Sequence, residues 1–248
     1  MILARITKAL KDQNWLAVSL EFIIVILGVV IGFQVTQWSS SQAEAERRAV
    51  ALDRLHDEVE DAVSALRLMT TNYDRLNTTR TEVIERLIAG DLEGIGSDAA
   101  ISSVTSTSLL PAFSPRQGVY TEIISSGMLS SLGDEDFRDA LGDYQAGVTF
   151  LQGQIDYFRT IVTTRPKIAD FDYVYLEYAP GTVRQRRHVV EWDAAAADPE
   201  FLQFLLDGNN SMRAMSDWWE HLLERAETLC AQTGRLTGQP CAPPESSE

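Results

Sequence analysis

Cysteine is scarce. Two residues in 248, Cys230 and Cys241, are too few for a disulfide scaffold or a four-thiolate zinc site. Histidine is nearly as rare: His56, His188 and His221 stand isolated in sequence, so we expect surface or boundary positions for them rather than ligand roles. Basic residues number 21 against 36 acidic ones, a formal charge of −15, and nucleic-acid binding needs the opposite balance. Nucleophile elbows, phosphate loops, dinucleotide fingerprints and paired-histidine zinc motifs are all missing. The stretch Asp91-Leu92-Glu93-Gly94-Ile95-Gly96 starts like a calcium loop. However, Ile95 occupies a ligand position and Ser102 stands where a bidentate glutamate belongs. We therefore expect no enzyme, no cofactor and no metal site. After Trp38 no second run of 18 apolar residues occurs, which limits the chain to one membrane crossing.

That one crossing is the strongest signal present. From Phe22 to Ala43 there is no charge, and Phe22 to Phe33 is almost wholly apolar. Trp15 and Trp38 bracket the stretch; at 1.5 Å rise per residue they stand roughly 34 Å apart, slightly more than a hydrocarbon core of about 30 Å. The pair reads as an interfacial aromatic belt in contact with membrane lipid. Arg5, Lys8 and Lys11 precede the span against a single Asp12, whereas Glu44, Glu46, Arg47 and Arg48 nearly cancel beyond it. The positive-inside rule then puts residues 1–15 in the cytoplasm, an anchor at 16–38 and the remainder on the periplasmic side of a bacterial inner membrane. A cleaved signal peptide is the competitor, with Ser41-Gln42-Ala43 as a loose cleavage site. Its apolar run would exceed the usual h-region, and the helical pattern continues past it. Within the span Glu21, Gly28 and Gly32 share one helical face. Gly28-x-x-x-Gly32 permits close approach of another helix, and Glu21 sits near the cytoplasmic end where a carboxylate is less costly.

Beyond the anchor the chain reads as mainly α, an antiparallel helical bundle over 39–234 followed by a disordered tail at 235–248. Apolar positions step by 3 and 4 from Leu52 through Leu55, Val59, Ala62, Leu66, Met69, Tyr73, Leu76, Val83 and Leu87, interrupted only by Arg80. No proline or glycine breaks residues 33 to 89, so the membrane helix is expected to run on into this one and to stop at Gly90. Residues 97–112, rich in serine and threonine, read as a loop. Ser114-Pro115-Arg116-Gln117 then carries the signature of a helix start, with the helix ending near Gly127. Asp134-Glu135-Asp136 opens another helix along Phe137, Leu141, Tyr144, Val148, Leu151, Ile155, Phe158 and Val162, stopped by Arg165-Pro166. Residues 171–192 predict a small β-hairpin, Tyr173–Tyr178 and Val183–Trp192 about a Pro180-Gly181 turn. A helix through Phe201, Phe204 and Leu205 follows Asp198-Pro199, then a separate one from Asn209 to Thr233.

Particular residues within this pattern resemble an uncharacterised family of single-pass bacterial inner-membrane proteins, defined as a domain of unknown function. The likeness rests on Leu20-Glu21-Phe22-Ile23-Ile24-Val25-Ile26-Leu27-Gly28 with Gln34-Val35-Thr36-Gln37-Trp38. It extends to Tyr120-Thr121-Glu122-Ile123-Ile124-Ser125-Ser126-Gly127-Met128-Leu129, Phe137-Arg138-Asp139-Ala140-Leu141 and Tyr144. Thr36 and Gln37 depart from the acidic residue and asparagine usual there. The resemblance implies a membrane-anchored helical ectodomain; it implies no activity and no catalytic residues.

Contact surfaces are the remaining candidates. Arg184, Arg186, Arg187 and His188 form the one basic cluster of an acidic ectodomain, suited to an anionic partner or to protecting a hairpin edge. Trp218 and Trp219 cannot share a helix face; Trp219 fits the seam, which leaves Trp218 half-buried or at an interface. Cys230 and Cys241 can form a disulfide in an oxidising compartment. Two function classes follow. One is an interaction or scaffold protein, a homo-oligomer or an accessory subunit with another membrane protein. The other is a ligand-sensing bundle that acts through a partner.

Overall fold

The computed structural model describes residues 15–107, 109, 114–178 and 186–241. Helix α1 spans Trp15–Ala89 without interruption. It contributes to two compact units, residues 1–50 and 51–248. The mainly α architecture and the hairpin follow the sequence expectation; several boundaries do not.

In the first unit, α1 is exposed from Ser19 to Glu46. Its most apolar stretch buries nothing, so Phe22, Phe33 and Trp38 remain 67, 67 and 70% exposed.

In the second unit, α1 packs with α4 (Glu135–Thr164) and α6 (Pro199–Thr237). His56 meets Thr233, whereas Asn77 meets Met212, so α1 and α6 run antiparallel. Asp134 pairs with Arg235 and Arg165 with Ser211, so α4 is antiparallel to α6 as well. The first core joins Leu55, Val59 and Leu66 of α1 to Phe137, Leu141 and Val148 of α4 and to Trp219, Leu222 and Leu229 of α6. Burying each of these large side chains contributes roughly 1.5–3 kcal/mol. Gly147 lets α4 approach α6, since a Cβ there would stand 3.0 Å from Leu222.

A second core forms where α1 ends. Val83, Ile84 and Leu87 pack with Val104, Phe171, Val174, Val190, Phe201 and Leu205. Gly90, at φ +71°, turns the chain out of α1, and the Asp91 N–H returns to the Arg86 carbonyl at 3.0 Å. Ile95, the residue that spoils the calcium-loop pattern, is a member of this core.

Three helix boundaries correct the sequence reading. Part of the expected loop at 97–112 is a helix, α2 (Asp98–Thr105): Ser97 caps it by accepting the Ala100 N–H at 3.2 Å, and Ala100 and Val104 bury against the second core. Helix α3 is Gly118–Ser125 and does not begin at Pro115. Its cap comes from outside the segment, because Glu58 of α1 accepts the Val119 N–H at 3.1 Å. The helix expected through Phe201, Phe204 and Leu205 and the separate one expected from Asn209 to Thr233 are one, α6. Gly208 is there for space: a Cβ would fall 1.9 Å from Thr107 Cγ2.

The hairpin pairs β1 (Val174–Tyr178) with β2 (Arg186–Val190), from Val174↔Val190 to Tyr178↔Arg186. β1 starts one residue later than expected and β2 ends at Val190 rather than Trp192, which begins the short α5 (Trp192–Ala197); residues 179–185, with the Pro180-Gly181 turn, lie outside the described residues. Phe171, Phe201 and Phe204 cluster beneath it, with ring centroids 5.2–6.3 Å apart. An isolated two-stranded hairpin is marginal; this one is held by that aromatic base. The tail expected from residue 235 starts as helix to Thr237 and is ordered as far as Cys241; 242–248 lie outside the described residues.

Candidate functional site

The face predicted for helix contact is open. Glu21 is exposed, and a Cβ at Gly28 or Gly32 would meet nothing within 4 Å. One turn on, Thr36 donates its hydroxyl back to the Gly32 carbonyl at 2.9 Å, so that polar group is satisfied within the helix. Trp38 is exposed, and the Trp15 side chain lies outside the described residues.

The basic cluster is partly engaged within the hairpin. Arg187 donates through Nε and Nη2 to Glu177 Oε2 at 2.8 and 2.7 Å, across the strand pair. Both side chains are solvent-exposed, so the pair adds about 0–1 kcal/mol. Arg184 and the Arg186 side chain lie outside the described residues. Trp218 is half-buried, its ring 5.7 Å from those of Phe150 and Phe158 of α4. Phe150 remains 50% exposed, so this aromatic group continues to the surface.

Cys230 and Cys241 are bonded, with Cα atoms 5.9 Å apart, and the bond ties the segment after Gly238 (φ +77°) back onto α6. Beside it stands His56, whose expected surface position is corrected here: it is buried, 1% exposed. Its Nδ1 lies 2.8 Å from Thr233 Oγ1, and Thr233 donates its own proton to the Cys230 carbonyl at 2.9 Å. One imidazole nitrogen and the two sulfurs all lie within 4.8 Å of one another. His188 is half-buried, and His221 is exposed 3.5 Å from Glu224. A hint was legible for His56, since it falls one place beside the Leu52–Leu55–Val59 seam. Its partners came from α6, 177 residues away.

A buried polar layer separates the two cores. Arg80, the one break in the α1 seam, is 1% exposed and directs three bonds to neutral acceptors. They run from Nε to the Ser103 carbonyl at 2.8 Å, from Nη1 to Asn77 Oδ1 at 3.0 Å and from Nη2 to Ser106 Oγ at 3.3 Å. Burial lowers its pKa to about 10, opposed by the neighbouring Tyr73. Tyr73 moves the other way: burial raises its pKa, with Arg80 acting against the rise. Asn209, also buried, donates to Thr81 at 3.3 Å. Adjoining this layer is a cavity of about 310 Å³ between the end of α4 and the start of α6. Val162, Pro166, Phe204 and Met212 give it apolar walls, while Arg165, Glu200 and Asp207 supply charge of both signs.

Comparison of this chain with protein-family models, with curated proteins and with solved structures returned no match.

Proposed function

We propose that this chain is a membrane-anchored helical interaction protein of the bacterial cell envelope, of the single-pass family whose motifs it resembles. In this reading residues 1–15 are cytoplasmic, 16–38 cross the inner membrane, and the helical bundle works on the periplasmic side. It binds a second copy or another membrane protein through the Glu21, Gly28 and Gly32 face and has no catalytic role of its own.

One observation carries the reading. The chain's most apolar helical stretch is wholly unburied, although α1, α4 and α6 elsewhere bury their apolar stripes. An exposed run of this size needs lipid or a partner to cover it. The lack of burial argues against a soluble protein's core helix. Continuity of α1 past Ser41-Gln42-Ala43 argues against a cleaved leader.

The test is carbonate extraction of membranes holding the full chain, followed by cross-linking in cells and sizing in mild detergent. The protein is expected in the pellet and as an oligomer or a complex. Gly28→Leu with Gly32→Leu should weaken the contact about tenfold, the effect of losing roughly 1.4 kcal/mol of close helix packing. Release by carbonate sinks the anchor; a monomer that captures no neighbour sinks the interaction.

The cavity beside Arg165 favours a second reading, a ligand-sensing bundle that passes its signal to a partner. Its volume suits a small amphiphilic molecule held between apolar walls and a few charges. A thermal-shift screen with no stabilising metabolite, or stabilisation unaffected by Phe204→Ala, removes it.

A further inference from the structure

We propose that Cys230, Cys241 and His56 form a reduction-gated site for a thiophilic divalent cation, closed while the sulfurs are bonded to each other. The inference stands independently of the membrane reading.

Geometry comes first. The two sulfurs and one His56 nitrogen already lie within 4.8 Å of one another. A tetrahedral zinc site, with Zn–S near 2.3 Å and Zn–N near 2.0–2.1 Å, sets its ligand atoms about 3.5–3.8 Å apart. Reaching that spacing asks only that the sulfurs part and the imidazole tilt. Cys230 and His56 are held on α6 and α1, both buried. Cys241 lies beyond the left-handed turn at Gly238, outside any helix and half-buried, so it is the ligand with room to swing.

The imidazole has an outer hydrogen-bond partner in place. Thr233 Oγ1 lies 2.8 Å from His56 Nδ1 and 2.9 Å from the Cys230 carbonyl. With the hydroxyl donating to that carbonyl, it accepts from Nδ1–H and the Nε2 lone pair is left for a cation. This is the outer hydrogen bond that metal-bound histidines use to fix orientation and basicity. Charge also balances. Two thiolates neutralise a dication, so the loaded site carries no net charge into a buried position.

The chemistry has two steps. A dithiol reductant transfers two electrons and two protons to the Cys230–Cys241 bond, which breaks into two thiols as the reductant closes to its own disulfide. The cation then displaces both thiol protons to solvent and takes the His56 lone pair, with a fourth position open to water or another ligand. Oxidation and metal binding compete for the same sulfur electrons, so the site reports the redox state of its surroundings.

The experiment uses the full chain in detergent, reduced with dithiothreitol that is then removed by gel filtration under nitrogen, and titrated with Co²⁺. One equivalent is expected to bind with a thiolate-to-cobalt charge-transfer band, to be displaced by Zn²⁺, and to fail to bind the oxidised protein. His56→Gln should weaken binding at least tenfold, as befits a lost ligand. Thr233→Val, which keeps shape and removes the outer bond together with the hydroxyl's bond to the Cys230 carbonyl, should weaken it about 10–100-fold. Circular dichroism of the oxidised variants checks the fold, and should His56→Gln fail it, Thr233→Val alone decides. Absence of the charge-transfer band overturns the proposal. So does equal affinity in the folded variants, which would leave a cation held by sulfur alone.

Discussion

Arg80 donates its Nε–H to the carbonyl of Ser103 at 2.8 Å, and with that bond a cation closes the polar layer between two apolar cores. The guanidinium is buried against neutral oxygens, so its stem fills space while its head satisfies the buried Ser103 carbonyl and Asn77 Oδ1 and the half-buried Ser106 Oγ. Arg80→Ala should destabilise the chain by about 3 kcal/mol, through a cavity and orphaned acceptors. Arg80→Met, which refills the volume and removes a desolvated charge, should cost less than half of that. Urea titration of the two variants checks the order; equal losses would mean that the lost hydrogen bonds, not the packing, decide.

Gly208 and Thr107 make a steric prediction. A methyl on Gly208 has no room beside Thr107 Cγ2, so Gly208→Ala should destabilise by about 1–3 kcal/mol despite its better helix propensity. Adding Thr107→Ser removes the obstructing methyl and should restore most of the loss. Thermal melts of the single and double variants measure this, and additive losses would refute it.

Tyr144 governs part of the alkaline limb. Burial, with the Glu58 charge behind it, raises its pKa from the ordinary 10 to about 12. A raised folded pKa means that unfolding releases the proton more easily. The associated stability is complete below pH 10 and is lost as pH climbs towards 12, amounting to about 3 kcal/mol. Tyr144→Phe should flatten the stability curve in that window and leave it unchanged in slope near neutrality. A curve as steep as the parent's would assign the alkaline loss to other groups.

Glu58 caps a helix that its own segment leaves uncapped. Glu58→Ala should cost about 1 kcal/mol and raise amide exchange at Val119 and its neighbours, with α4 and α6 unaffected. Exchange measured by mass spectrometry distinguishes this local fraying from a global loss.

The same residues show what was legible. Asp134 was read as the start of α4, and it is, because a cap is a local device: the carboxylate accepts the Phe137 N–H three residues on. Ser114-Pro115 carried an equally good local signature and lost, since Glu58 supplied the hydrogen bond from another helix. The sequence reading starts a separate helix at Asn209. The competing fact, that Thr107 presses against the helix at that point, is a contact across 101 positions. The disulfide was an open pairing in an oxidising compartment, whereas the histidine beside it was expected at the surface.

Period, cap and hydropathy are properties of neighbours along the chain, so the amino-acid order by itself determined the apolar N-terminal helix, the α4 seam, the hairpin and the acidic charge. Tertiary structure alone decided which polar groups found distant partners: Arg80 over Ser103, the half-buried Glu58 on α3, and His56 beside Thr233 and the bonded sulfurs. Burying a polar group costs free energy that only partners from distant segments offset, and those partners exist only once the helices have packed.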